Sequence, residues 1–203
     1  MRKTKPVLVV LAGPNGSGKT TLTSAIKELG YDQDCEAINP DLVAKELFGD
    51  WNDPDAVKKA ADWCDNRREQ LLKEKKNIFL ETVFSSPVKL DFVKRAKEYG
   101  YFIRFLFVCT TSPDINASRV SRRYRNGGHT VPIEKIVSRY YKSLQQAQSV
   151  ISIVDRGYFI DNSKDLTIPE LVFQTRNGTV HKIYTDNVPS WAETILGKVE
   201  QVV

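Results

Sequence analysis

The sequence predicts one α/β domain, a mainly parallel, doubly wound sheet with helices on both faces and a β-hairpin near the C-terminal end. Three observations carry that prediction. Apolar runs of strand length, "VLVVLA", "NIFLE" and "YFIRFLFVC", alternate with helical stretches, as parallel strands joined by crossover helices do. The first run leads directly into "GPNGSGKT", a glycine-rich turn that opens a helix. Later the pattern changes to "ELVFQTRNGTVHKIY", two short strands around Asn177-Gly178, a pair suited to a tight hairpin turn.

In chain order, the strand at 7–12 is followed by a helix over 19–29. That helix carries Leu22, Ala25, Ile26 and Leu29 on one stripe and stops before Gly30. "AINPDLVAKELF" holds a second strand and a helix that Asp41 can cap. "NDPDAVKKAADWC" starts a helix with Asp53 as N-cap and Pro54 at the first helical position. After the strand at 77–81, "SSPVKLDFVKRAKEYG" repeats the device with Ser86 and Pro87 and stops at Gly100. The strand at 101–109 leads to Ser112, Pro113 and a helix that halts at Gly127 and Gly128. A helix over 132–150 spaces Ile133, Ile136, Val137, Tyr140, Leu144 and Ala147 on one face. "RGYFIDNS" reads as the last parallel strand, the hairpin covers about 170–185 and "PSWAETILGKV" closes with a short helix. At 203 residues and 41% hydrophobic content, with no repeat or linker, the whole of 1–203 reads as a single domain with a real core.

A net charge of +5 favours an anionic ligand only weakly. Cys35, Cys64 and Cys109 are odd in number and lack metal spacing, which argues against disulfides or zinc and for a reduced, cytoplasmic setting. The basic start "MRKTKPVLVVLAG" superficially resembles a secretion signal. Its apolar run feeds into the glycine turn, so it reads as a buried strand, and no other segment is suited to span a membrane.

"GPNGSGKT" fits G-x-x-x-x-G-K-[ST], a loop whose backbone N–H groups cradle phosphates. Gly13, Gly16 and Gly18 allow the close approach, and the next helix aims its positive end at the same anion. Lys19 would reach the β and γ oxygens and the Thr20 hydroxyl would ligate Mg²⁺. Asn15, Ser17 and Thr21 complete the set assigned to ATP. A GTP-specific N-K-x-D motif and a strand ending in paired acids are both absent, which favours phosphoryl transfer to a small acceptor over a switch or a hydrolysing ATPase.

On the acceptor side, Asp41 is placed at the carboxyl edge of the sheet, as a base for an acceptor hydroxyl or a holder of Mg²⁺ through water. Glu81 and Thr82 end an apolar strand at that edge, where Glu81 can orient substrate hydroxyls or hold magnesium waters. "SRVSRRYRNGGH" puts Arg119, Arg123 and Asn126 on one helical face with Arg122 at its margin, ready to stabilise transition-state charge. The glycine pair that follows would free residues 119–131 as a lid, with His129 able to touch phosphate.

Together "LAGPNGSGKTTL", "INPD", "FLETVFSS" and "RVSRRYRNGGHTVPIEKIVSRYYKSLQQA" resemble the zeta toxin family of P-loop kinases, over about 7–163. The resemblance implies a fold like nucleoside monophosphate kinases, ATP–Mg²⁺ dependence and phosphorylation of a sugar hydroxyl, that of UDP-N-acetylglucosamine in characterised members. It implies Asp41 as base, Glu81 as substrate-binding acid, Arg123 as the first lid arginine and a small antitoxin as partner. His129 stands where longer toxins place a second lid arginine. Two alternatives remain, a polynucleotide 5′-hydroxyl kinase and a non-catalytic nucleotide-binding regulatory module. Near the lid the aromatic platforms are only Tyr124, Tyr140 and Tyr141, which argues against nucleic acid.

Overall fold

The computed structural model describes residues 5–28, 30, 34–49, 53–125, 131–197 and 199, with the backbone alone at 41 and 42. In order the elements are β1 (Val7–Ala12), α1 (Lys19–Glu28), β2 (Glu36–Ile38), α2 (Pro40–Phe48), α3 (Pro54–Glu74), β3 (Ile78–Thr82) and α4 (Pro87–Glu98). They continue with β4 (Phe102–Cys109), α5 (Pro113–Arg125), α6 (Ile133–Val150), β5 (Arg156–Asp161), β6 (Glu170–Arg176), β7 (Thr179–Ile183) and α7 (Ser190–Leu196).

One sheet of order β2-β3-β1-β4-β5-β6-β7 holds the molecule together. The first five strands in that order are parallel, and β6 and β7 run antiparallel. The order follows from the crossovers. The chain leaves β1 to one side through α1, and after β3 it crosses back over β1 through α4 to reach β4. The ends of β1, β3 and β4 therefore meet at the reversal point, where open α/β sheets bind their ligands.

The alternation of β1 sorts its side chains between two cores. Leu8, Val10 and Ala12 enter a large cluster with Leu71 and Leu72 of α3, Phe92 and Val93 of α4, Tyr140 and Leu144 of α6, and Trp191 and Ile195 of α7. Val9 and Leu11 face the other way, against Ile26 of α1, Phe79, Leu106 and Val108. Helices thus cover both faces. Aromatic rings fill the larger core, with Phe159 stacked on Phe173 at 4.2 Å between centroids and Phe107 tilted against Trp191 at 6.0 Å.

The caps act as their sequences suggest. Asp53 accepts the Asp55 N–H and Ser86 accepts the Val88 N–H, each before a proline. Asn177 and Gly178, at φ of 48° and 86°, make the hairpin turn between β6 and β7. One boundary differs from expectation. Helix α2 begins at Pro40, so Asp41 lies in its first turn rather than ahead of it, and Asn39 occupies the preceding position. Helix α3 runs on to Glu74, where Lys75 closes it in a left-handed conformation. The expected stop at Gly127 and Gly128 lies outside the described residues.

The turn between α3 and β3 is tied to the core by Tyr101, whose hydroxyl reaches the carbonyls of Leu71 and Lys76 at 2.9 and 2.7 Å. Tyr101→Phe removes that donor in a buried place and should cost about 1 kcal/mol, lowering the melting temperature by roughly 3 °C. An unchanged thermal unfolding midpoint would show the tie to be dispensable.

Candidate active site

Between β1 and α1 the loop of residues 13–19 carries the glycines that the motif requires. Gly16 and Gly18 have φ of 77° and 94°, where other residues are strained. Space forbids a side chain there as well. A Cβ on Gly16 would lie 2.5 Å from the Asn116 carbonyl oxygen, and one on Gly18 would lie 2.1 Å from Asn162 Nδ2. The neighbours that press on the loop also hold it. Asn116 donates through Nδ2 to the Asn15 carbonyl at 2.6 Å, and Asn162 Nδ2 donates to the Ser17 carbonyl at 2.8 Å. Arg139 of α6 reaches Asn15 Oδ1 at 3.5 Å. Asn116 is itself fixed by the Thr110 hydroxyl, which donates to its Oδ1 at the end of β4.

Lys19 is buried beneath this loop. Its ammonium donates to the Gly13 and Pro14 carbonyls, both at 2.9 Å. Burial pulls its pKa down to about 8, and the Arg123 charge pulls the same way, while the Glu81 carboxylate opposes the shift. Cys109 is a neutral thiol there, pushed up to about 12 by burial.

Glu81, at the end of β3, turns toward α1. Its Oε1 accepts from the Thr20 hydroxyl at 3.3 Å and its Oε2 from the Thr23 hydroxyl at 3.2 Å. The sequence placed Glu81 near substrate or magnesium, and the fold brings it to the threonine expected to ligate the metal. Thr82 spends its hydroxyl on a turn, accepting the Phe84 N–H at 3.1 Å. Phe84 is buried at φ 55°, a left-handed conformation costly for a bulky residue, and Ser143 of α6 donates to the carbonyl before it at 2.7 Å.

The arginines of α5 divide. Arg119 donates to Asp165 through Nε at 2.9 Å and Nη2 at 2.7 Å, and to the Asn162 carbonyl at 2.7 Å. Arg122 shares Asp165 at 3.4 Å and is otherwise exposed. The Arg123 charge acts on Lys19, lowering its pKa. The sequence put Arg119 and Arg123 on one face with Arg122 at its margin; the structure adds that Arg119 and Arg122, an i, i+3 pair, share one carboxylate beyond the end of β5. Asn126 and His129 lie outside the described residues, as does the Asp41 side chain, whose backbone lies in the first turn of α2, after β2.

The residues fit a nucleoside triphosphate and its cation. Ser17 Oγ is fully buried and without a hydrogen-bond partner among the described residues, within a loop whose Gly16 and Gly18 take conformations that other residues rarely adopt. Thr20 and Glu81 offer hard oxygens of the kind that Mg²⁺ takes. Sequence reasoning missed Asn116, Arg139, Asn162 and Thr23. A buried asparagine inside a helix and the polar "DN" ending an apolar strand were the available signals.

The family model described as Zeta toxin matches residues 1–168. An uncharacterized protein of Haemophilus influenzae is 26% identical over 137 residues, covering 65% of this chain and 91% of that one. The AvrRxo1-ORF1:AvrRxo1-ORF2 complex with sulphate ions is similar at TM-score 0.68 and 17% identity, covering 96% of this chain and 64% of that chain; a form with ATP gives 0.67. This chain therefore spans under two thirds of that protein. The PezAT toxin–antitoxin system of Streptococcus pneumoniae gives 0.61 at 17% identity, covering 86% and 73%. At such identities these structures share the fold. No described helix is long and apolar enough to cross a membrane.

Two outcomes follow from this geometry. In the nucleotide-free protein, Lys19 should lose its proton with a midpoint of about 8, read from the pH dependence of its acylation. Arg123→Ala should raise that midpoint and Glu81→Gln lower it; titration at the ordinary 10.5 would contradict the burial. Gly18→Ala should weaken ATP binding by on the order of 100-fold, because strain and the Asn162 clash combine; calorimetry showing native affinity would refute this.

Proposed function

The chain belongs to the zeta toxin family, and from that premise we propose that it is an ATP- and Mg²⁺-dependent kinase. It transfers the γ-phosphoryl group to a hydroxyl of a sugar nucleotide or similar metabolite, of the UDP-N-acetylglucosamine kind. The observation that carries the reading is the placing of Glu81 against Thr20 and Thr23 at the start of the helix whose Lys19 ammonium lies on the loop's Gly13 and Pro14 carbonyls.

ATP with Mg²⁺ supplies the transferable phosphoryl group and the electrophilic phosphorus. The protein supplies position and charge. Lys19 exchanges two carbonyl acceptors for phosphate oxygens, which bear full charge and bind an ammonium more strongly. The Thr20 hydroxyl and Glu81 hold the cation directly or through water. Asp41, in the first turn of α2 at the carboxyl edge, takes the proton of the acceptor hydroxyl as its oxygen bonds to the γ-phosphorus and the bridging bond to ADP breaks. Arg123 closes over the transferred group, while Arg119 and Arg122 brace the segment beyond β5. Inhibition by a small antitoxin protein is part of the same reading.

Asp41→Asn should bind ATP with native affinity yet lose transfer by about 10³-fold, and Arg123→Ala should lose a similar factor. Phosphoryl transfer followed by mass spectrometry checks both, and undiminished turnover in Asp41→Asn would remove that residue from the chemistry.

A further inference from the structure

The loop's hold on Asn162 leads back to a part of the chain that the family match does not reach. Asn162 and Ser163 follow β5, and the carboxylate before them, Asp161, is bonded three times. Its Oδ1 accepts the Ser163 N–H at 2.9 Å, and its Oδ2 accepts the Ser163 hydroxyl at 2.9 Å and the Trp191 indole N–H at 2.8 Å. Ser163 Oγ in turn accepts the Thr111 N–H at 2.8 Å, fastening the segment to the end of β4. Arg119 donates to the carbonyls of Asn162 and Ser163, at 2.7 and 3.4 Å. Asn162 then donates to the Ser17 carbonyl in the phosphate loop.

Trp191 is 2% exposed, and its ring lies against Phe107. It belongs to α7, whereas the family match ends at residue 168. An indole N–H has one use, so its orientation fixes where the Asp161 carboxylate sits. That carboxylate fixes Ser163, and Ser163 and Arg119, with the Cys109 carbonyl that accepts the Asn162 N–H at 2.8 Å, fix Asn162.

We propose that Trp191 is a positioning residue for nucleotide binding. Through Asp161 and Ser163, the C-terminal helix sets the place of Asn162 and with it the shape of the phosphate loop. Helix α7 is therefore a working part of the nucleotide site. The inference rests on the loop's holding ATP, as the kinase reading requires.

The test uses the full-length chain with ATP and Mg²⁺ in a calorimeter. Trp191→Phe keeps the ring packing and removes the N–H, so ATP affinity should fall about 5-fold, the worth of one hydrogen bond. A second readout comes from Trp51→Phe/Trp63→Phe, which leaves Trp191 as the sole indole; its emission should shift when ATP is added, and Asp161→Asn in that background should abolish the shift. A merely structural tryptophan would show no such response. If the parent protein binds ATP while Trp191→Phe binds it equally well and the emission stays fixed, the relay is wrong and the kinase reading stands. If the parent protein does not bind ATP, the kinase reading fails and takes the relay with it. Should Trp191→Phe melt below the assay temperature, Ser163→Ala carries the same expectation, and native ATP affinity in that variant overturns the proposal.

Discussion

A loop that turns its backbone N–H groups outward to an anion cannot use those groups to hold itself together. That constraint governs the rest of this molecule. Beyond the Ser17 N–H on the Pro14 carbonyl, the grip comes from side chains, the Lys19 ammonium on the Gly13 and Pro14 carbonyls and two carboxamides of other elements, Asn116 of α5 and Asn162 beyond β5, each donating to a loop carbonyl. For those amides to arrive, the ends of β1, β4 and β5 must lie side by side, as the parallel order provides. The glycines are the other half of the fit, because the amides and backbone that hold the loop occupy the space where a Cβ would stand.

The same constraint shapes the electrostatics. Lys19 is stored under the loop on two carbonyls, in a place dry enough to pull its pKa toward neutrality. One carboxylate, Glu81, holds it charged, and one guanidinium, Arg123, works against it. An ammonium so placed is poorly satisfied until phosphate oxygens come within reach, which favours its release onto a nucleotide. Glu81 serves twice, since its oxygens also accept from Thr20 and Thr23.

Much of this was legible along the chain. The apolar runs gave the parallel strands because buried strands are continuously apolar, and the caps before Pro54 and Pro87 set helix starts by local chemistry alone. Asn177-Gly178 set the hairpin for the same reason. What sequence order hid was every contact between distant elements. Asn116 looks like an indifferent helix residue until the fold lays it against Asn15. Trp191 looks like a core aromatic until its indole meets Asp161. The helical repeat put Arg119 and Arg123 on one face with Arg122 at its margin, but it could not show that Asp165, far along the chain, is shared by Arg119 and Arg122.

The most direct measurement follows the γ-phosphoryl group itself. Incubating the protein with ATP labelled at the γ position, Mg²⁺ and a bacterial metabolite extract should move label into a small hydroxyl-bearing metabolite, with Lys19→Ala giving none. Label appearing only as inorganic phosphate, or remaining in ATP while the protein binds it, would contradict a kinase and leave a nucleotide-binding protein without an acceptor.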